Sequence, residues 1–523
     1  MKSNTFSQKH TGLILLCVLL TGVALRAHRL NFQSLWNDEI ITYESSSKPL
    51  ASLLINPGDG NMPPLYYSII HVVLQLGNQE ALRLPSLIFG SLSILLFYLV
   101  LQKWFGRYIS ILCAIIMAIS PFHVWYSQEA RPYIMILLFS LLSLYLTQCS
   151  IEEPKSIGLK INLGISVSAL FYSHIVTVAF IGFLAIYVLL HTPRQTWINW
   201  LPVMVGIALL VAPRIYQQFI ISPDVPADLS RSFNPIYIAY AIWTFVTGYS
   251  LGPTISELHM LDHINIISSY FPIILPIMIF FFLFSLLGVI QIHRQNKMLL
   301  LSIVLWFILP LTFAILGSIY TVHPFNVRYA ILSFPPFIAF LTIGIHSLSS
   351  HWMRAGTFGI LGIISVLSLG NYYYNPRYHR DDIRSAGQYL STHAQEHDVV
   401  IANAPYTVPS IRHYYHGEPE IRVRGYPPPS HRASPALLGK ATSGFVHTSY
   451  VKPEQVQPDL QALIGEQDRF WLFLSRTYHS DPKGYIRKFL DAKYCRGLPA
   501  SWPGAELILY HRKPLNQVCA DQS

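Results

Sequence analysis

Long apolar runs broken by short polar segments organise this chain. A membrane-crossing helix needs about 20 mostly apolar residues. Runs of that character occupy, approximately, 11–27, 84–103, 108–122, 132–150, 160–174, 175–192, 198–213, 269–292, 298–319, 329–348 and 355–371, which predicts eleven spans. The run at 63–77 is shorter, opens on Pro63-Pro64 and ends at Gly77-Asn78-Gln79-Glu80. It reads as a helix lying along the membrane surface. From about Asn371 the apolar runs shorten, and prolines and charges rise. Segments 398–402, 470–474 and 505–510 read as short buried strands, and 383–394 as a helix. The prediction is a polytopic α-helical membrane domain over 1–371, with a first outer loop at 28–83 that carries surface helices and another outer loop at 214–268. A small extracytoplasmic α/β domain follows over 372–523, large enough for its own core. No internal repeat is visible.

Composition agrees with that division. The 523 residues are 52% hydrophobic and 12% charged, with a mean hydropathy of +0.40, whereas soluble proteins carry roughly 25% charge. The formal net charge of +10 resides largely in short loops. With the N-terminus in the cytoplasm, the loops holding Lys103 and Arg107, Lys155 and Lys160, Arg194, Arg294 and Lys297, and Arg354 all face inward, as the positive-inside rule requires. A crossing at 63–77 would turn these basic loops outward. No basic stripe interleaved with aromatics marks a nucleic-acid surface. Lys2 and Lys9 precede the first apolar run, and Leu25-Arg26-Ala27-His28 lacks a small-x-small cleavage pattern, so the N-terminus reads as an uncleaved anchor in the cytoplasmic membrane. Cys17, Cys113 and Cys149 fall in apolar runs. Cys495 and Cys519 lie in the polar C-terminal part, where an oxidising compartment permits pairing. No spacing suggests zinc.

This threading brings the unusual polar groups to one face. Asp38-Glu39 follows the first span; the bland alternative is a solvated pair at a helix start, and the functional one a general base beside a positioning acid. Tyr66 and Tyr67 follow the proline pair and suit either an interfacial aromatic belt or a substrate-positioning surface. Gln128-Glu129-Ala130-Arg131 offers a local ion pair, or an acceptor-binding Glu129 beside an anion-binding Arg131. Arg328-Tyr329 opens a span on the outer face, against the usual charge rule, as does Arg83; an anionic ligand explains such arginines, and headgroup snorkelling is the alternative. His174 sits at a tight turn between spans, where a satisfied structural histidine is the ordinary expectation. His323 carries less signal still. The outer loop with Asp224, Asp228, Arg231 and Glu257 is either a cover or a connector. No P-loop or dinucleotide fingerprint is present.

Taken together, Leu35-Trp36-Asn37-Asp38-Glu39, Met62-Pro63-Pro64-Leu65-Tyr66-Tyr67, Ala81-Leu82-Arg83-Leu84-Pro85-Ser86 and Tyr126-Ser127-Gln128-Glu129-Ala130-Arg131-Pro132-Tyr133 resemble the GT-C membrane glycosyltransferases. The bacterial branch related to protein O-mannosyltransferases and the lipid A aminoarabinose transferase is the nearest in pattern. The resemblance is strong over the first 135 residues or so and weaker through Tyr172-Ser173-His174, Asn326-Val327-Arg328-Tyr329 and Asp381-Asp382-Ile383-Arg384. Met62 stands where that family pattern has His, so no role for that histidine carries over. The resemblance implies an inverting transfer of a sugar from a polyprenyl-phosphate donor, with the catalytic acid of the first outer loop at Asp38. The mechanism that fits these residues has Asp38 and Glu39 as the catalytic pair, Glu39 orienting Asp38 or a substrate, a phosphate held by Arg131, Arg328 and Tyr329, with Arg83, and Glu129, His174, Tyr66 and Tyr67 positioning donor or acceptor. Relatives differ over a divalent metal, and the acceptor class (lipid, polysaccharide or protein) stays open. A transporter or flippase for a lipid-linked or anionic solute is the competing reading, and a non-catalytic assembly protein the other.

Overall fold

The computed structural model describes residues 8–55, 64–77, 79–216, 235–260, 263–320, 325–427 and 451–513. Pro63, Asp224, Asp228, Arg231, His323 and Cys519 lie outside them. The described chain divides into two compact units. A helical unit takes residues 1–30, 46–251 and 272–370, and a C-terminal unit takes 371–523 together with 31–45 and 252–271.

Each of the eleven expected spans falls mostly on helix. Eight described helices are long and apolar enough to cross a membrane. Two further expected spans are the shorter apolar helices Ile157–Ser173 and Ile175–His191. The remaining difference in number comes from Leu84–Ile119, which covers the expected span 84–103 and most of 108–122 but is interrupted at Gly106, where φ is 74° and ψ 177°. Glycine takes that backbone without a Cβ clash. The run after the prolines forms Pro64–Leu76, a 13-residue helix with Pro64, Tyr66, Tyr67 and Ile70 buried.

The expected loop at 214–268 is in part helical. Ile236–Thr247 is a helix that buries Trp243, Thr244, Phe245, Val246 and Thr247. Its apolar stretch is too short to read as a span, and that is why the sequence pattern passes over it. Phe245 meets Phe122 edge-on, ring centroids 5.0 Å apart, and Phe334 at 5.6 Å. Helix His263–Gln295 also begins within this stretch.

Close helix packing depends on two glycines. A Cβ on Gly288 would strike the Phe340 carbonyl, and one on Gly344 the Phe284 carbonyl. Each glycine therefore lets His263–Gln295 meet the backbone of Phe334–His346, the small-residue contact that membrane helices use in place of a hydrophobic driving force. Gly344→Ala is expected to destabilise the protein by about 1–3 kcal/mol, read as a lower melting temperature in detergent; Gly359→Ala, with open space at its Cβ, is the control.

The C-terminal unit holds a mixed sheet. Its strands are β1 (Val399–Ala402), β2 (Arg422–Gly425), β3 (Arg469–Ser475), β4 (Tyr494–Arg496), β5 (Ala500–Trp502) and β6 (Ala505–Arg512), in the order β2-β1-β3-β6-β4, with β5 also on β6. β1 pairs parallel to β2 and β3, and β6 antiparallel to β3, β4 and β5. The continuous apolar character of β1 and β3 follows from burial on both faces: Ile401, Phe470 and Leu472 share a core with Ile486, Leu490, Ile508 and Tyr510. Helix Ile383–His393 starts where Asp382 accepts a hydrogen bond from the Ser385 N–H at 3.1 Å. Cys495 is disulfide-bonded.

A titratable cluster lies in the same unit. The Tyr406 hydroxyl and His479 Nδ1 share a 2.8 Å hydrogen bond. Burial, then the charge of Arg476, then His259 push His479 down to about 3. Between that value and the ordinary pKa near 6.5, the unfolded chain holds a proton there that the folded chain does not. His479 therefore removes stability as pH falls through this window. His479→Gln is expected to narrow the difference in melting temperature between pH 7 and pH 5; an unchanged difference would exclude this residue as its source.

Candidate functional site

The acid pair opens a helix, Asn37–Ser46, and both acids belong to the C-terminal unit. Asp38 is 6% exposed and Glu39 fully buried. Glu39 Oε2 lies 3.1 Å from Arg380 Nη1, and the two side chains are 0% and 5% exposed. A carboxylate withdrawn from water stays ionised only beside a partner of this kind. The same oxygen sits 3.5 Å from the Trp36 N–H, at the edge of a hydrogen bond.

The segment before the pair is tied at several points. Ser34 Oγ donates to the Asp381 carbonyl at 2.6 Å, and the Leu35 N–H donates to the Tyr414 hydroxyl at 2.7 Å. Arg384 donates to the carbonyls of Asn31, Phe32 and Gln33 at 3.3–3.4 Å. Arg476 lies over the Trp36 ring, 5.2 Å from its centroid, and donates to Asp381 Oδ2 at 2.5 Å. Glu257 closes a capping box with Thr254 and pairs with Arg377 at 2.8 Å. These hydrogen bonds outweigh the upward pull of burial and hold its carboxyl below the usual range.

The helical unit gathers the other candidates. Asn326 caps a 3-10 turn, Val327–Ser333, by accepting the Arg328 N–H at 3.1 Å. Arg328 is 6% exposed. Its guanidinium carbon stands 5.3 Å from the Tyr133 ring centroid and 5.2 Å from that of Tyr329, an arrangement that suits a planar cation. The His174 ring is 6.0 Å from Tyr133 and 5.7 Å from Tyr329. His174 Nδ1 accepts the Val176 N–H at 3.2 Å, so the neutral ring carries its proton on Nε2. Tyr126 shares a 2.7 Å hydrogen bond with Tyr249.

Glu129, 2% exposed, accepts from the Trp125 indole at 3.1 Å. Arg131 Nη1 donates to the Tyr67 hydroxyl at 3.3 Å, and Tyr66 shares a 3.0 Å bond with Ser86. Arg83 is 2% exposed and donates to the Leu30 carbonyl at 2.8 Å. Arg131, Tyr67, Arg328, Tyr329, Tyr133 and His174 thus sit in two small clusters of one unit, while Asp38 and Glu39 belong to the other unit. Among the described residues, no three His, Cys, Asp or Glu side chains gather as a metal-binding group.

A family model described as dolichyl-phosphate-mannose-protein mannosyltransferase matches residues 61–216. Among solved structures, ArnT from Cupriavidus metallidurans bound to undecaprenyl phosphate is similar with a TM-score of 0.54 and 13% identity, over 96% of this chain and 98% of that one. The apo oligosaccharyltransferase of Archaeoglobus fulgidus is similar with a TM-score of 0.53 and 11% identity, over 98% of this chain and 76% of that one. This chain has the GT-C fold. It is a multi-pass membrane protein like these GT-C neighbours. No curated protein matches its sequence.

Sequence reasoning missed Arg380 as the partner of Glu39. The signal was present in the charged stretch Arg380-Asp381-Asp382-Ile383-Arg384, which marks the start of the C-terminal domain. Pairing of residues 341 positions apart in sequence leaves no local trace. Tyr133 and Tyr249 were likewise passed over, because tyrosines near span ends are common.

Proposed function

We propose that this protein is an inverting glycosyltransferase that moves a sugar from a polyprenyl-phosphate donor to an acceptor hydroxyl at the outer face of the cytoplasmic membrane. The observation that carries the reading is the buried Asp38-Glu39 pair in a chain with the GT-C fold. Arg380 pairs with Glu39, and the proton transfer falls to Asp38 in this reading. Asp38 takes the acceptor's proton as general base. The acceptor oxygen attacks the anomeric carbon from the side opposite the phosphate, the carbon–phosphate-oxygen bond breaks, and polyprenyl phosphate leaves with the electron pair. The solved ArnT was bound to undecaprenyl phosphate, which supports a donor of that class here.

Arg328 and Arg131 hold the phosphate and stabilise the charge that grows on it. Tyr329 supports Arg328, and Tyr67 supports Arg131. Arg83, which donates to the Leu30 carbonyl, steadies that turn and contributes its charge to the same end. Glu129, His174 and Tyr66 orient donor or acceptor. The sugar is set by the experiment.

The test uses purified protein in lipid with a panel of undecaprenyl-phosphate monosaccharides, with release of undecaprenyl phosphate as the readout. Release by the wild type, lost in Asp38→Asn while the donor still binds, establishes the transferase and names the sugar. Failure to bind any donor in the panel sinks the reading.

A further inference from the structure

We infer that Arg380 is a positioning residue for the transfer, and that it acts through Glu39 on the aim of the Asp38 carboxylate. The inference rests on the assignment of Asp38 as base. Neighbouring side chains on a helix point about 100° apart, so a fixed Glu39 fixes the rotation of the turn that presents Asp38. Glu39 is fixed by a buried ion pair, 3.1 Å long, with side chains 0% and 5% exposed. The guanidinium needs a rigid mounting to impose such a position, and it has one. The Arg380 N–H donates to Gln33 Oε1 at 3.0 Å, Gln33 Nε2 donates to the Tyr372 carbonyl at 3.3 Å, and the Asp381 carbonyl accepts Ser34 Oγ at 2.6 Å. On its other side Asp381 receives Arg476, which covers Trp36. The chain on either side of Arg380 is therefore fastened to the chain that leads into Asp38. No such cross-linking is needed if the pair does no more than neutralise a buried acid.

A purely stabilising pair and a positioning pair respond differently to removal of both partners. Losing Arg380 alone strands a buried carboxylate and endangers folding. Losing both charges at once removes this ion pair as a whole, and replacing a buried ion pair by groups of similar volume is often neutral for stability. The decisive variant is the full-length Glu39→Gln/Arg380→Met double substitution, assayed with the same undecaprenyl-phosphate monosaccharides beside Asp38→Asn and Arg380→Lys.

The expected result is a folded double variant with a wild-type melting temperature, donor KM within about twofold, and kcat lower by roughly 10²-fold, the scale of a misplacement near 1 Å. Arg380→Lys is expected to recover part of that loss, because it restores the charge without the planar fork. Wild-type kcat in the double variant, beside an inactive Asp38→Asn, overturns the positioning role and leaves the base assignment standing. A double variant with raised KM and unchanged kcat also overturns it, and assigns the pair to donor binding. An active Asp38→Asn removes the parent reading and this inference with it.

Discussion

Asp38→Asn is expected to lower transfer by about 10³-fold while donor affinity changes by no more than a few-fold. Asparagine keeps the shape of the side chain and its place at the start of the helix Asn37–Ser46, but it cannot accept a proton. General-base catalysis contributes roughly 10²–10⁴-fold, and a phosphate leaving group needs no strong acid, so loss of the base falls near the middle of that range. Asp38→Glu keeps the carboxylate and moves it by one methylene. It is expected to retain activity at roughly 10²-fold below wild type, since geometry of this order governs attack. The two variants separate charge from position. Both are followed by release of undecaprenyl phosphate under single-turnover conditions, with donor binding measured in parallel. Transfer at the wild-type rate in Asp38→Asn would assign the proton to another group.

How much of this was legible in the sequence depends on the length scale of each interaction. Spans are local: about 20 apolar residues announce themselves, and each expected segment falls mostly on helix. Gly106 lies between two of those runs, at the point where the backbone leaves the helical region. β1 and β3 were legible because strands buried on both faces lose their polar alternation, and β6 because Leu507, Ile508, Leu509 and Tyr510 form a continuous apolar run. β2, with Arg422 and Arg424 exposed and Val423 buried, was not, because it offers one apolar residue in four. The helix Ile236–Thr247 escaped because its length falls below the spanning threshold. The candidate side chains were visible as anomalies of charge, and their partners were not. Glu39 with Arg380, Arg131 with Tyr67, and Arg328 with Tyr133 all join residues far apart in the chain, and no single sequence encodes such pairings by proximity. The grouping of residues 31–45 with 371–523 is the largest feature of this kind.

Arg328→Met carries the second large expectation, a fall in affinity for undecaprenyl phosphate of roughly 10²-fold or more. A buried guanidinium that meets an anion makes charge-assisted hydrogen bonds, and truncating one partner of such a pair costs about 2–5 kcal/mol. Methionine retains much of the apolar stem and its packing against the rings of Tyr133 and Tyr329. The change thus removes charge more than volume, and the loss of cation–π attraction accounts for about 2 kcal/mol of any effect on folding. Arg328→Lys is expected to recover little of the affinity, because an ammonium offers neither the planar fork nor the face that stacks on two rings. Tyr329→Phe keeps the ring and loses only the hydroxyl, 3.4 Å from Arg328 Nη2, so its affinity is expected to stay within about threefold of wild type, given the modest net worth of a long hydrogen bond. Equilibrium binding of undecaprenyl phosphate to protein in detergent, with melting temperatures for each variant, measures these effects separately. Undiminished binding by a folded Arg328→Met protein would move the phosphate to Arg131, and Arg131→Met would then carry the loss. The order of the three variants at 328 and 329 is the sharper result: a headgroup-snorkelling Arg328 predicts near-equal donor binding in all three, whereas a phosphate ligand predicts that Arg328→Met and Arg328→Lys fall together and Tyr329→Phe does not.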